Sequence, residues 1–157
     1  MPNEVANVAL GRQNELFDRV NNNDPANSVL EIHLWEGVET DANLRDADTI
    51  AAVAALALTE STATGYASLV LTDADIGASV VDDGADTRSA DIADQTFPNI
   101  GPGTGITRLT IGYDADSTGG TDANIELAAF YDFVVTPNGG HVTAQVNAGG
   151  IWSSTQA

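Results

Sequence analysis

Cysteine is absent from the 157-residue chain. That excludes disulfides, thiolate metal sites and cysteine nucleophiles. Lysine is absent as well, and the five cations are Arg12, Arg19, Arg45, Arg88 and Arg108. A P-loop lysine and a lysine Schiff base are therefore ruled out. Aromatic residues make up only 6% of the chain. No apolar run approaches the ~20 residues that a membrane-spanning helix needs. No basic start leads into an apolar stretch, so no secretory signal peptide is expected.

What is present in excess is negative charge. Asp and Glu number 23 against 5 arginines, for a formal net charge of −18. A chain with so few cations has little with which to displace the counterions of a phosphate backbone, so neither nucleic acid nor an anionic membrane is an expected partner. The acids are scattered, as a well-solvated, self-repelling surface requires. Adaptation to high salt, where screening removes that repulsion, produces the same composition. At 43% apolar residues, the chain has enough material for one core and is not a disordered acidic tail.

Hydrophobic periodicity divides the chain into an arm, residues 1–12, and a single β-rich domain, residues 13–157. Pro2 and Gly11 punctuate the arm, and it carries Val5, Val8 and Leu10. In residues 13–22, Leu16, Phe17 and Val20 mark one face of a short helix, with Asn14 as its cap. Residues 28–36 alternate as a strand, with Leu30, Ile32 and Leu34 facing the core and Val29, Glu31, His33 and Trp35 opposite. Residues 37–48 read as an acidic loop. Residues 49–58 read as an alanine-rich helix capped by Asp48 or Asp46, with a stripe of Ile50, Val53, Ala54 and Ala57. Further strands are expected at 66–71 and 105–113, with an edge strand within 89–97 that stops at Pro98; residues 72–88 read as an acidic surface loop around a short 79–81 piece. A long one at 123–136 should bulge near Ala128 and Ala129. The turn Pro137-Asn138-Gly139-Gly140 should fold 141–146 back on it as a hairpin. Ile151 and Trp152 should dock. The expected fold is mainly β (α+β): an antiparallel sheet, sandwich- or barrel-like, with one or two short helices and an extended N-terminal arm.

The residues that could carry chemistry are few. Asp114, Asp116 and Thr118, followed by Gly119, repeat the alternating oxygens of a calcium loop. The twelfth position, however, is Ile125 where the loop needs a bidentate Glu, and the flanks read as strands. A polar hairpin tip explains these residues as well, so calcium is a weak candidate and no cofactor is expected. Asp73, Asp75, Asp82 and Asp83 form a still looser cluster. His33 sits on a strand face and His141 after a glycine turn, as structural or exposed histidines do. Ser61, Ser68 and Ser79 lie in no nucleophile elbow. Gly101, Gly103 and Gly105 precede a strand rather than a helix. Carboxylate pairs are too abundant to single out any one of them. The expectation is a protein that is not an enzyme.

Four segments carry a resemblance: 23–28 (NDPANS), 44–49 (LRDADT), 113–124 (YDADSTGGTDAN) and 132–139 (DFVVTPNG). They look like small virion structural proteins of tailed bacteriophages, of the capsid decoration or cement type. The resemblance implies a protein made in the host cytoplasm that ends on the capsid surface. It would bind the major capsid protein and cement neighbouring subunits as a homo-oligomer, trimer or dimer. No active-site residue transfers, because the family works through contact surfaces. Val5, Val8, Leu10, Trp35 and Trp152 are the apolar residues expected at those contacts. The alternatives are a tail or neck component of the virion, or a calcium-binding β-sandwich adhesion module.

Overall fold

The structure, a computed structural model, describes residues 3–147 and 150–155. In chain order its elements are β1 (Asn3–Val5), a 3-10 turn (Asn7–Ala9), α1 (Gln13–Asn21), β2 (Val29–Gly37), α2 (Asp41–Asp46), α3 (Ile50–Ala54), β3 (Leu58–Glu60), β4 (Leu69–Leu71), β5 (Val80–Asp82), β6 (Thr87–Ala90), β7 (Gln95–Phe97), β8 (Ile106–Asp114), β9 (Glu126–Val135), β10 (Val142–Ala144) and β11 (Trp152–Thr155). The strongest alternation produces the longest strands. β2, β8 and β9 form the middle of an antiparallel sheet ordered β1-β9-β8-β2-β3, with β4 beside β3 on the same edge of β2. Among the described residues this sheet does not close on itself; β1 ends it on one side and β3 with β4 on the other.

Both faces of the sheet are covered. On one, Leu30, Ile32, Leu34, Leu109 and Ile111 pack with Leu16, Phe17 and Val20 of α1 and with Ala90, Phe97, Val142 and Trp152. Those last four residues belong to two small sheets, β11-β6-β5 and β10-β7, which lie over this face in a sandwich-like manner. On the other face, Trp35 and Phe130 pack with Leu44 of α2, Ile50 and Val53 of α3, and Leu58. Gly112 permits the approach of α3, since a Cβ there would lie 2.5 Å from Ile125 Cγ2 and 3.2 Å from Ile50 Cγ1. The expected bulge is present. Ile111 pairs Ala129 while Gly112 pairs Leu127, so Ala128 is left over. The extra residue shifts the two-residue period by one. Leu127 and Phe130, three apart, thereby enter the same core.

Several expectations need correction. The alanine-rich helix is shorter than 49–58 and is capped by Thr49, whose Oγ1 accepts from Ala52 N–H at 3.1 Å, not by Asp48 or Asp46. Ile50 and Val53 are its buried residues, while Ala54 and Ala57 face solvent. The chain must leave the helix early to bring Leu58 beside Gly37 in β3. The acidic stretch 37–48 contains α2, capped by Thr40 and anchored by the single buried Leu44, too little apolar patterning to show a period. Asn14 lies inside α1 and does not cap it; its Nδ2–H donates to Ser154 Oγ at 2.9 Å. Residues 66–71 are strand only from Leu69, and 89–97 divides into the end of β6 and all of β7. β10 pairs β7 rather than folding back on β9, which buries Val142 with Phe97 in the core over the Leu30 face.

The expected arm is largely laid on the molecule itself. β1 pairs Ala129–Tyr131 of β9, and Ala6 N–H donates to Ala128 O at 3.3 Å. Ala6 and Ala9 are fully buried, small enough for the backbone to lie against the sheet. Met1 and Pro2 fall outside the described residues.

At Gly37, φ is +102°, and a Cβ would stand 2.5 Å from the backbone oxygen of Ala57. Gly37→Ala should cost about 2–3 kcal/mol from left-handed strain plus the backbone clash. Gly119→Ala meets nothing within 4 Å and should change stability by less than about 0.5 kcal/mol. Urea midpoints of the two variants against the parent check this; equal midpoints would overturn it.

Candidate functional site

The register of the sheet assembles one polar cluster. Glu31 and His33 alternate on β2, so both point to the Trp35 face. β3 pairs antiparallel with Glu60 directly opposite Trp35, which puts Glu60 on that face too. His33 is buried; its Nδ1 meets Glu60 Oε1 at 2.9 Å, and its Nε2 faces Glu31 Oε2 at 3.5 Å, an ion-pair distance too long for a good hydrogen bond. Tyr66 completes the group. Its hydroxyl accepts from Leu34 N–H at 3.0 Å and donates to Glu60 Oε1 at 2.8 Å. The residue stands where a strand continuing β4 would otherwise satisfy β2, and its ring stacks on Phe97 at 6.0 Å.

The electrostatics follow from this geometry. Burial alone would lower the His33 pKa, but the two acidic neighbours, Glu31 at ion-pair distance and Glu60 in a hydrogen bond, outweigh it and raise the value to about 9. Burial pushes the Glu60 carboxyl up, while hydrogen bonds from His33 and Tyr66 and the imidazolium charge bring it below its ordinary value. Burial, and then the neighbouring Glu60 charge, push the Tyr66 hydroxyl up. At neutral pH the cluster is an imidazolium held between two carboxylates, with a neutral phenol. The arrangement ties β3, β4 and the 61–68 segment to β2.

Sequence reasoning places His33 on the correct strand face but does not connect it with Glu31, Glu60 and Tyr66. The Glu31-x-His33 alternation is a visible signal. Glu60 and Tyr66 join only through strand pairing and loop placement.

The weak metal candidates serve the β8–β9 turn. The buried Asp114 accepts from Asp116 N–H through Oδ1 at 3.0 Å. Asp116 Oδ1 accepts from Thr118 N–H at 3.1 Å and Thr118 Oγ1–H at 2.6 Å. Asp75 and Asp82 likewise hold their own turns, through Thr72 and through Gly84 and Ala85. Among the described residues no group of three or more His, Asp or Glu is placed to hold a metal ion. His141 is exposed.

Of the expected contact residues, Trp35 and Trp152 are core side chains, at 0% and 5% exposure, and present no surface. Trp35 Nε1–H donates to Thr110 Oγ1 at 2.8 Å, and Trp152 meets Phe17 edge to face at 6.3 Å. Val5 and Val8 are half-buried against the body, and Leu10 is exposed.

The fold draws three of the four resembling segments to one end of the main sheet. Ser117 in the β8–β9 turn donates through N–H and Oγ–H to Asn27 O, at 3.1 and 3.0 Å. Leu127 N–H donates to Asp48 O at 3.0 Å, and Ala51 N–H to Asp122 O at 3.0 Å. Segments 23–28, 44–49 and 113–124 thus lie near one another at this end, with residues 115–124 exposed and Ser28, Leu44, Ala47, Tyr113 and Asp114 buried. The surface charge is also one-sided. Every arginine is engaged by an acid of the same chain: Arg12 with Glu126 and Glu15, Arg19 with Glu15, Arg45 with Glu4, Arg88 with Asp18, and Arg108 with Asp41 and Asp132. Among the described residues, the other carboxylates have no arginine to offset them.

No family model, curated protein or solved structure matches the chain. Among the described residues no helix is long and apolar enough to cross a membrane.

Proposed function

We propose that this protein is a virion structural component of a tailed bacteriophage. It binds the outside of the capsid as a dimer or trimer and cements neighbouring major capsid subunits. The observation that supports the reading most is the gathering of segments 23–28, 44–49 and 113–124 at one end of the main sheet, where residues 115–124 are exposed. Residues that carry the resemblance are far apart in the chain and adjacent in the fold, which is how a contact surface is built. Loops on a rigid scaffold are where recognition resides. The scaffold is rigid here because the sheet has a core on each face. The acidic exterior discourages coated particles from adhering to one another. Leu10, exposed beside the half-buried Val5 and Val8, remains an apolar contact for a neighbouring subunit.

Particle reconstruction with mass spectrometry tests this. The protein should be present at a fixed ratio to the major capsid protein, with density on the capsid exterior and the loop end against the shell. Density in the tail or neck would overturn the capsid placement, and absence from purified particles would overturn the virion role.

A further inference from the structure

β5 ends the three-stranded sheet β11-β6-β5, paired to β6 through Val80–Asp82 and with no strand on its other edge among the described residues. All three of its residues are exposed. Val80 and Val81 are each 61% exposed, and as neighbours on a strand they point to opposite faces. An open edge is a template for another chain, and short length, bulges, prolines or charges restrict which chain can pair with it. Residues 78–84 contain no proline, and the β5–β6 register runs without a shift. The edge is marked by charge alone: Asp82, Asp83 and Asp86 are exposed at the hairpin end. Arg88 on β6 does not offset them, being paired to Asp18 of α1.

We propose that the open edge of β5 is a docking site for an extended segment of a partner protein carrying lysine or arginine at alternating positions. The segment adds as a fourth strand to β11-β6-β5. Main-chain hydrogen bonds along the edge supply affinity, and side chains at alternate positions supply selectivity. The alternation puts its apolar residues on one face, where they cover Val81, and its cations on the face of Val80 and Asp82, where they meet the acids of the hairpin end. A second copy of this chain is not the occupant, because among the described residues its arginines are each engaged by an acid of their own chain and supply no cation to this edge. The inference concerns the isolated protein and does not depend on the virion role.

The test uses the full chain and two synthetic peptides, one alternating lysine with valine and one with proline in place of every valine. Both carry the same charge, but only the first can pair as a strand. Fluorescence anisotropy at low salt should show the valine peptide binding about tenfold more tightly. Hydrogen exchange of the Val80, Val81 and Asp82 amides should slow with that peptide alone. Asp82→Asn with Asp83→Asn should weaken binding about fivefold with an unchanged melting temperature. The amide that replaces the Asp82 carboxylate retains an oxygen to accept from Gly84 and Ala85 N–H, so the turn is kept. A second variant, Val80→Lys with Val81→Lys, removes the apolar cover, offsets most of the charge of the edge and should abolish binding. Equal affinity for the two peptides, slowed exchange only at other strands, or undiminished binding by both variants would overturn the proposal.

Discussion

Trp35→Ala should lower the unfolding free energy by about 3–5 kcal/mol, the range for truncating a fully buried large aromatic. Trp35 has no exposed surface and fills the core beneath α2 and α3 with Leu44, Ile50, Leu58 and Phe130. Neither helix exceeds six residues. Helices this short are not stable alone and depend on packing. Removing the indole therefore strips both of their principal support and leaves Thr110 without its donor. Trp35→Phe keeps a ring and loses the hydrogen bond and part of the volume, so its cost should fall near 1–2 kcal/mol. Urea unfolding measures both; for a domain of ordinary stability the alanine variant loses a large fraction of the total. A loss below about 1 kcal/mol would show that the second core contributes little to the fold.

The second large effect is on pH dependence. The folded protein holds the His33 pKa at about 9, above its ordinary 6.5. The protonated ring is thus bound more tightly by the folded state than by the unfolded one. Its stabilisation is fully present below pH 6.5 and is lost as pH rises through 9. The interval corresponds to about 3 kcal/mol. Glu60 acts in the opposite sense; its lowered pKa gives a contribution that disappears as pH falls below the usual carboxylate range. Urea midpoints measured from about pH 6 to about pH 10 should therefore fall steeply in the parent. In His33→Gln the curve over the same interval should be nearly flat, from a lower starting stability, because Glu31 and Glu60 have lost the cation between them. Parallel curves for the two proteins would remove His33 as the source.

Local patterns carry much of the architecture. Leu16, Phe17 and Val20 mark α1 because a helix returns to one face every three or four residues. Alternation marks β2, β8 and β9, and the paired alanines mark the bulge that sets Leu127 and Phe130 on one side. Less of the candidate site is legible. The strand face of His33 can be read from its neighbours, whereas the resembling segments read as separate turns. Nothing local to Glu60 indicates that it stands opposite Trp35, and nothing local to Tyr66 indicates that it substitutes for a strand along β2.

Composition by itself determined the one-signed surface and the exclusion of thiol and lysine chemistry, and local alternation determined the positions of the long strands. These depend on residue type and on neighbours within a few positions. The tertiary structure alone decided that the Trp35 face is covered as fully as the Leu30 face. It also decided that β10 joins β7, that β1 lies along β9, and that segments 23–28, 44–49 and 113–124 meet. A two-residue period shows that a strand has two faces but not how many of them are buried. Pairing between strands distant in sequence is settled by which arrangement buries most apolar surface and satisfies most backbone groups at once, a property of the whole chain that no short stretch encodes.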